Sequence, residues 1–259
     1  QLQHDLSTYG LEDAAHAVES LVEMGCLMHD IGNPPFGHSG EAAINRWFRQ
    51  HIAQFQPSAC LAEPAAAELW QQLATELQQF EGNAQGIRII AALQNMNLTY
   101  TQSACIMKYT RPASLTKAQA PAAFSYLMKK PGFYHTEQAF VRQQNAALQI
   151  QPHHRHPLTY IMEAADDISY CLADIEDAVE KDILSLEQVA ALLKQQFAAC
   201  YPNLPVEQLP PLTGLAGKTQ SFQQMVDDVL SKADRKDSNR IYEFFIGLRV
   251  KMIHPLVQH

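Results

Sequence analysis

The chain has 259 residues, of which 47% are hydrophobic and 18% charged, and its formal net charge is −8. This length supports a substantial core in one large domain or two packed ones, and the apolar content excludes extensive disorder. No apolar run reaches the roughly 20 residues of a membrane span, and the acidic balance argues against general attraction to nucleic acid.

Apolar residues recur at helical spacing in many segments, without sustained alternation of β-branched residues, so the expected fold class is all-α. A first helix is predicted from about Leu11 to Ile31, ended by Gly32 and Pro34-Pro35. Ser39 reads as the cap of a second, which places Glu41 in its first turn, where the helix dipole favours a carboxylate. Residues 57–79 read as an amphipathic helix. Glu81-Gly82-Asn83-Ala84-Gln85-Gly86 then leads into a helix at Ile87 to Leu93, and Asn83 is either a cap, the reading its spacing favours, or a ligand contact.

Short helices follow at Thr101 to Tyr109, ended by Thr110-Arg111-Pro112, then in a segment closed by Lys129-Lys130-Pro131-Gly132, and then at Tyr134 to Leu148. Pro157 to Lys181 is predicted as one helix that places Asp166, Tyr170 and Asp174 on a single stripe at i, i+4 and i+8. Ser185-x-x-Gln188 is a capping box opening a helix to about Cys200, Tyr201 to Lys218 is the best candidate for a linker or long loop, and two helices close the chain. The expected organisation is a core over residues 1–200 and a loop with helices over 201–259. Cys26, Cys60, Cys105, Cys171 and Cys200 form no C-x-x-C pair and read as reduced core thiols of a cytoplasmic protein. The chain begins at Gln1 without Met or a signal-peptide pattern, and is expected to be a piece of a longer protein.

The densest chemistry lies in His29-Asp30-Ile31-Gly32-Asn33-Pro34-Pro35-Phe36-Gly37-His38-Ser39-Gly40-Glu41. A fraying helix end can turn His29 and Asp30 toward one ion, with Asp166 the candidate for a further ligand; nitrogen and carboxylate donors suit Mn²⁺ or Mg²⁺, with Co²⁺, Ni²⁺ and Fe²⁺ also open. His38 and Glu41 stand at i, i+3, close enough for the carboxylate to orient an imidazole that works as general acid or base. Lys108, Arg111, Lys129 and Lys130 concentrate positive charge where a polyanion could be held, or form a solvated basic surface.

These residues resemble the HD superfamily of metal-dependent phosphohydrolases. The longer run narrows the likeness to the dGTP triphosphohydrolases, with Asn33 similar to the enterobacterial type. Further matches are Phe80-Glu81-Gly82-Asn83-Ala84-Gln85-Gly86, Lys108-Tyr109-Thr110-Arg111-Pro112, Met128-Lys129-Lys130-Pro131-Gly132 and the segment from Met162 to Tyr170. The resemblance implies a multi-helix HD-domain fold with His29, Asp30 and Asp166 as metal ligands and His38 and Glu41 as the catalytic pair. It also implies triphosphate contacts from Asn83, Lys108, Tyr109 and Lys130, and a deoxyribose contact at Tyr170 with Asp174 nearby.

The same likeness implies dGTP as substrate, a homo-oligomer of hexameric type and single-stranded DNA as a partner, although no basic-aromatic strip for DNA is legible. It also asks for a first histidine ligand upstream of the doublet. Only His4 and His16 lie there, neither in the expected context, so that ligand is expected before Gln1. Two other readings are a broader nucleotide phosphohydrolase and a non-catalytic HD protein that binds nucleotide or single-stranded DNA.

Overall fold

The helical spacing becomes helix through most of the chain, and the fold is all-α. The computed structural model describes residues 10, 12–213, 219–235 and 239–258. Packing divides the chain at 165/166 into two units with separate apolar cores.

The first unit contains α1 (Ala15–Met28), α2 (Gly37–His51), α3 (Pro64–Leu77), α4 (Gly82–Arg88), α5 (Tyr100–Cys105) and α6 (Gln138–Ala147). It ends within α7 (Pro157–Tyr170). Gly25 lets α1 close on its neighbours, since a methyl there would lie 3.3 Å from the Met162 side chain. Thr159 ties α7 to α5 by donating to the Ala104 carbonyl at 2.9 Å. Ile87, Ile90, Ile106, Met107, Phe133 and Val141 form the core beneath the site. Two short strands, β1 (Arg111–Pro112) and β2 (Pro131–Phe133), pair in parallel and join the Lys108 and Lys130 segments.

The second unit contains α8 (Ala173–Glu180), α9 (Leu186–Ala199), α10 (Phe222–Asp234) and α11 (Arg240–Gln258). Its core gathers Leu172, Val189, Phe222, Met225, Phe244, Phe245 and Leu248. Burying each large side chain contributes about 1.5–3 kcal/mol. Ser185 caps α9 through the expected box with Gln188, and Ser221 caps α10 with Gln224 in the same way. The antiparallel pair β3 (Leu212–Thr213) and β4 (Thr219–Gln220) falls in the expected loop region. The expected boundary near residue 200 lies inside this unit.

Several elements differ from expectation. The helix predicted over Pro157 to Lys181 breaks at Cys171 and Leu172, so Asp174 opens α8 and does not continue the stripe of Asp166 and Tyr170. Leu172 is 2% exposed in the second core, and its burial overrides the continuous helical pattern. Ser39 is not the cap of α2. That helix starts at Gly37 behind Phe36, whose φ of 66° is left-handed, and Glu41 lies beyond the first turn. Of the five cysteines only Cys105 is buried, while Cys171 and Cys200 are exposed, so the core-thiol reading holds for one of them.

Candidate active site

The HD doublet sits where α1 ends. The His29 amide donates to Gly25 O at 2.9 Å as the last helical bond, and the Asn33 amide then closes a turn on Asp30 O at 3.0 Å. This turn packs backbone to backbone on α4: a methyl at Gly32 would lie 2.0 Å from Gly82 O and 2.2 Å from the Gly86 amide nitrogen. The buried His29 ring places Nδ1 2.8 Å from the Cys26 carbonyl oxygen, which only accepts. Nδ1 therefore carries a proton, and Nε2 faces Asp30 Oδ2 at 3.4 Å.

The carboxylate oxygen is an acceptor, so at that distance a proton on Nε2 or a metal ion between the two atoms satisfies both. A second-sphere carbonyl that fixes the ring tautomer is the usual support of a metal-binding histidine, so the pair fits a divalent cation. Among the described residues no group of three or more metal-ligand side chains comes together. Asp166 lies on α7 as the first residue of the second unit.

His38 and Glu41 are brought together as their spacing requires, with His38 Nδ1 3.0 Å from Glu41 Oε2. The His38 side chain is 84% exposed, whereas that of Glu41 is 11% exposed. The second carboxylate oxygen, Oε1, accepts from the Gly82 amide at 2.7 Å. One turn further along α2, Asn45 exchanges two hydrogen bonds with the Phe80 backbone, at 2.6 and 2.9 Å. Thus α2 grips residues 80–82 with both Asn45 and Glu41. As an acceptor-only group the carboxylate places the His38 proton on Nδ1 and leaves Nε2 outward.

The sequence motif around Asn83 has a different centre from the one expected. Glu81 caps α4 through Oε2, accepting from the Asn83 amide at 2.7 Å, so Asn83 is not the cap. Its other oxygen accepts from the Asn83 side chain at 3.0 Å and from Lys130 Nζ at 2.9 Å. Glu81 is 4% exposed, and its backbone is held further by the Tyr134 hydroxyl. Burial tends to lower the Lys130 pKa, but the Glu81 hydrogen bond and charge more than reverse this, with Glu41 adding in the same sense.

Tyr109 belongs to the same cluster. Burial raises its pKa, while the charges of Lys130 and Lys108 oppose that rise. Its backbone crosses Gly132 so closely that a methyl there would lie 1.8 Å from Tyr109 O. Asn83, Lys108, Tyr109 and Lys130, far apart in sequence, therefore share one electrostatic neighbourhood. Glu81 is the centre of this cluster that sequence reasoning missed; a carboxylate two positions ahead of Asn83, where a helix must be capped, was its signal.

Other expected contributors are placed differently. Arg111 is 3% exposed and donates to the carbonyls of Met128 and Leu115 and to the Gln79 side chain, so its charge is spent within the fold. Tyr170 ends α7 and is exposed, and Asp174 stands in the first turn of α8, both in the second unit. His16 is exposed on α1 with Glu19 3.7 Å away, and His4 lies outside the described residues. No helix among the described residues is long and apolar enough to cross a membrane.

Comparison with known proteins bears on the same residues. The HD domain model matches residues 6–115. A Pseudomonas aeruginosa protein named "Probable deoxyguanosinetriphosphate triphosphohydrolase" is 52% identical over 260 residues, covering 100% of this chain and 51% of that protein. Proteins named deoxyguanosinetriphosphate triphosphohydrolase from Enterobacter sp. (strain 638) and Klebsiella pneumoniae subsp. pneumoniae are 44% and 43% identical, covering 99% and 98% of this chain and 51% and 50% of each. The chain spans about half the length of the curated relatives it matches. The chain is thus similar to the HD-domain proteins over residues 6–115 and, along the half of their length that it spans, to proteins named deoxyguanosinetriphosphate triphosphohydrolase.

Proposed function

We propose that this chain carries the reacting groups of a metal-dependent dGTP triphosphohydrolase, which converts dGTP and water into deoxyguanosine and tripolyphosphate. The observation that carries this reading is the Glu41 bridge, in which a carboxylate pinned by the Gly82 amide holds an exposed imidazole in one tautomer. A binding module has no need of such a proton-transfer pair.

His29 and Asp30 would hold a divalent ion, Mn²⁺ or Mg²⁺ by donor type, which supplies Lewis-acid polarisation of the α-phosphate when bound. His38 Nε2 takes a proton from the attacking water or, when already protonated, gives one to the departing 5′-oxygen. In either role Glu41 stabilises the imidazolium through Nδ1–H. The water oxygen forms a bond to the α-phosphorus, the bond from phosphorus to the 5′-oxygen breaks, and the leaving oxygen ends protonated. Lys130 exchanges its contact with Glu81 for the triphosphate, beside Asn83, Lys108 and Tyr109, and offsets part of the negative charge.

Product analysis tests the reading on a protein of the relatives' full length carrying this sequence. Incubation with dGTP and Mn²⁺ is expected to release deoxyguanosine and intact tripolyphosphate in equal amounts, with GTP turned over far more slowly. Orthophosphate or pyrophosphate as the primary product would refute the proposed bond cleavage.

A further inference from the structure

The run Pro152-His153-His154-Arg155-His156 leads into α7 and lies against the segment that carries Lys108 and Tyr109. Two hydrogen bonds join them. The Thr110 hydroxyl donates to the His153 carbonyl at 3.2 Å, and Arg155 Nη1 donates to the Lys108 carbonyl at 3.1 Å. The run therefore holds the chain on both flanks of Tyr109, while the Thr110 amide is fixed by the Leu127 carbonyl at 2.9 Å.

The other arm of Arg155 meets a charge. Its Nη2 donates to Glu163 Oε2 of α7 at 2.7 Å, and the guanidinium lies 3.9 Å over the Tyr160 ring. The Arg155 side chain is 8% exposed and that of Glu163 32%. Glu163 is near enough to act on Tyr109: burial is the main cause that raises the Tyr109 pKa, and the charges of Glu81 and then Glu163 add to it. Without its arginine, Glu163 would repel a triphosphate bound at Lys108 and Tyr109 through the same field.

Stability alone does not account for the arrangement. Arg155 Nε is buried with no hydrogen-bond partner among the described residues, and burying an ion pair costs desolvation that its attraction need not return. What the guanidinium supplies is geometry, because one rigid planar fork fixes a backbone carbonyl and a carboxylate relative to each other.

We propose that Arg155 is a positioning residue for the triphosphate, holding the Lys108–Tyr109 backbone with one arm and cancelling the charge of Glu163 with the other. This role rests on the triphosphate contacts of Lys108 and Tyr109 in the proposed function.

The test uses a protein of the relatives' full length carrying this sequence, with tripolyphosphate affinity read by calorimetry and dGTP kinetics in Mn²⁺ read beside it. Arg155→Met should weaken tripolyphosphate binding and raise KM by about tenfold or more, with kcat changed by less than about threefold. Arg155→Lys keeps the charge without the fork and should lose roughly threefold. Glu163→Gln alone should bind tripolyphosphate roughly threefold tighter, and added to Arg155→Met it should recover a similar factor. An ion pair that only stabilises the fold would shift melting and leave these affinities alone.

If Lys108→Met leaves tripolyphosphate binding unchanged, the triphosphate contacts fall and this role with them. If Lys108→Met weakens binding while Arg155→Met, shown folded by circular dichroism, does not, the role of Arg155 alone is overturned. Should Arg155→Met fail to fold, undiminished affinity in Arg155→Lys overturns it, as does weaker binding by Glu163→Gln.

Discussion

Glu41 accepts from the Gly82 amide at 2.7 Å, 41 positions away in sequence, while its other oxygen holds His38. In Glu41→Gln the amide oxygen must face the Gly82 N–H, because two donors cannot face each other. The new NH₂ then points at His38 Nδ1 and forces the ring proton onto Nε2. We expect kcat to fall by about 10²–10⁴ with KM little changed, comparable to His38→Ala. Steady-state kinetics on dGTP at full relative length checks this; normal turnover by either variant would remove the pair from the mechanism.

The motif glycines are not equivalent, and their stabilities should rank accordingly. Gly32→Ala drives a methyl into the backbone at Gly82 and Gly86, where no rotamer change relieves it, and should cost about 3 kcal/mol or more. Gly37 has open space around it but a φ of +50°, so Gly37→Ala should cost about 1 kcal/mol from backbone strain alone. Urea denaturation gives both values, and the reverse order would contradict the packing of the turn on α4.

Burial pushes the Glu76 carboxyl up to about 7, with Glu137 adding to the rise and the His135 backbone and Arg88 opposing it. The folded state therefore holds this proton at pH values where the unfolded chain, near 4.5, has lost it. Stability from this group is present below about pH 4.5 and declines as pH rises toward 7, by about 3 kcal/mol in all. Glu76→Gln should remove that decline and be the more stable protein at pH 8. Melting curves from pH 5 to 8 test this, and parallel profiles for the two proteins would disprove it.

The ion pair of Lys130 with Glu81 sets opposite expectations for its two partners. Lys130→Met leaves the buried Glu81 carboxylate short of one donor and should cost about 1–3 kcal/mol, with weaker tripolyphosphate binding. Glu81→Gln keeps an oxygen to cap α4 but frees Lys130, so tripolyphosphate should bind tighter, by roughly threefold or more from lost Coulombic competition. Calorimetric titration decides, and weaker binding by Glu81→Gln would mean that Glu81 positions the lysine rather than competing for it.

Sequence by itself determined what depends on short spacing. Helical periodicity declared the all-α class, i, i+3 spacing brought His38 to Glu41, and the capping box at Ser185 appears where local side-chain and backbone geometry puts it. Tertiary structure decided the rest, because those outcomes depend on which distant backbones and cores meet. The break at Leu172 follows from its burial, the occupied state of Arg111 follows from carbonyls supplied by other segments, and the Glu76 carboxyl is pushed up by a burial that only the packing of α3 creates. Glu81 shows the division within one motif. Its position ahead of α4 was legible, but its bond to Lys130, 49 residues away, exists only because the two chain segments approach in the fold.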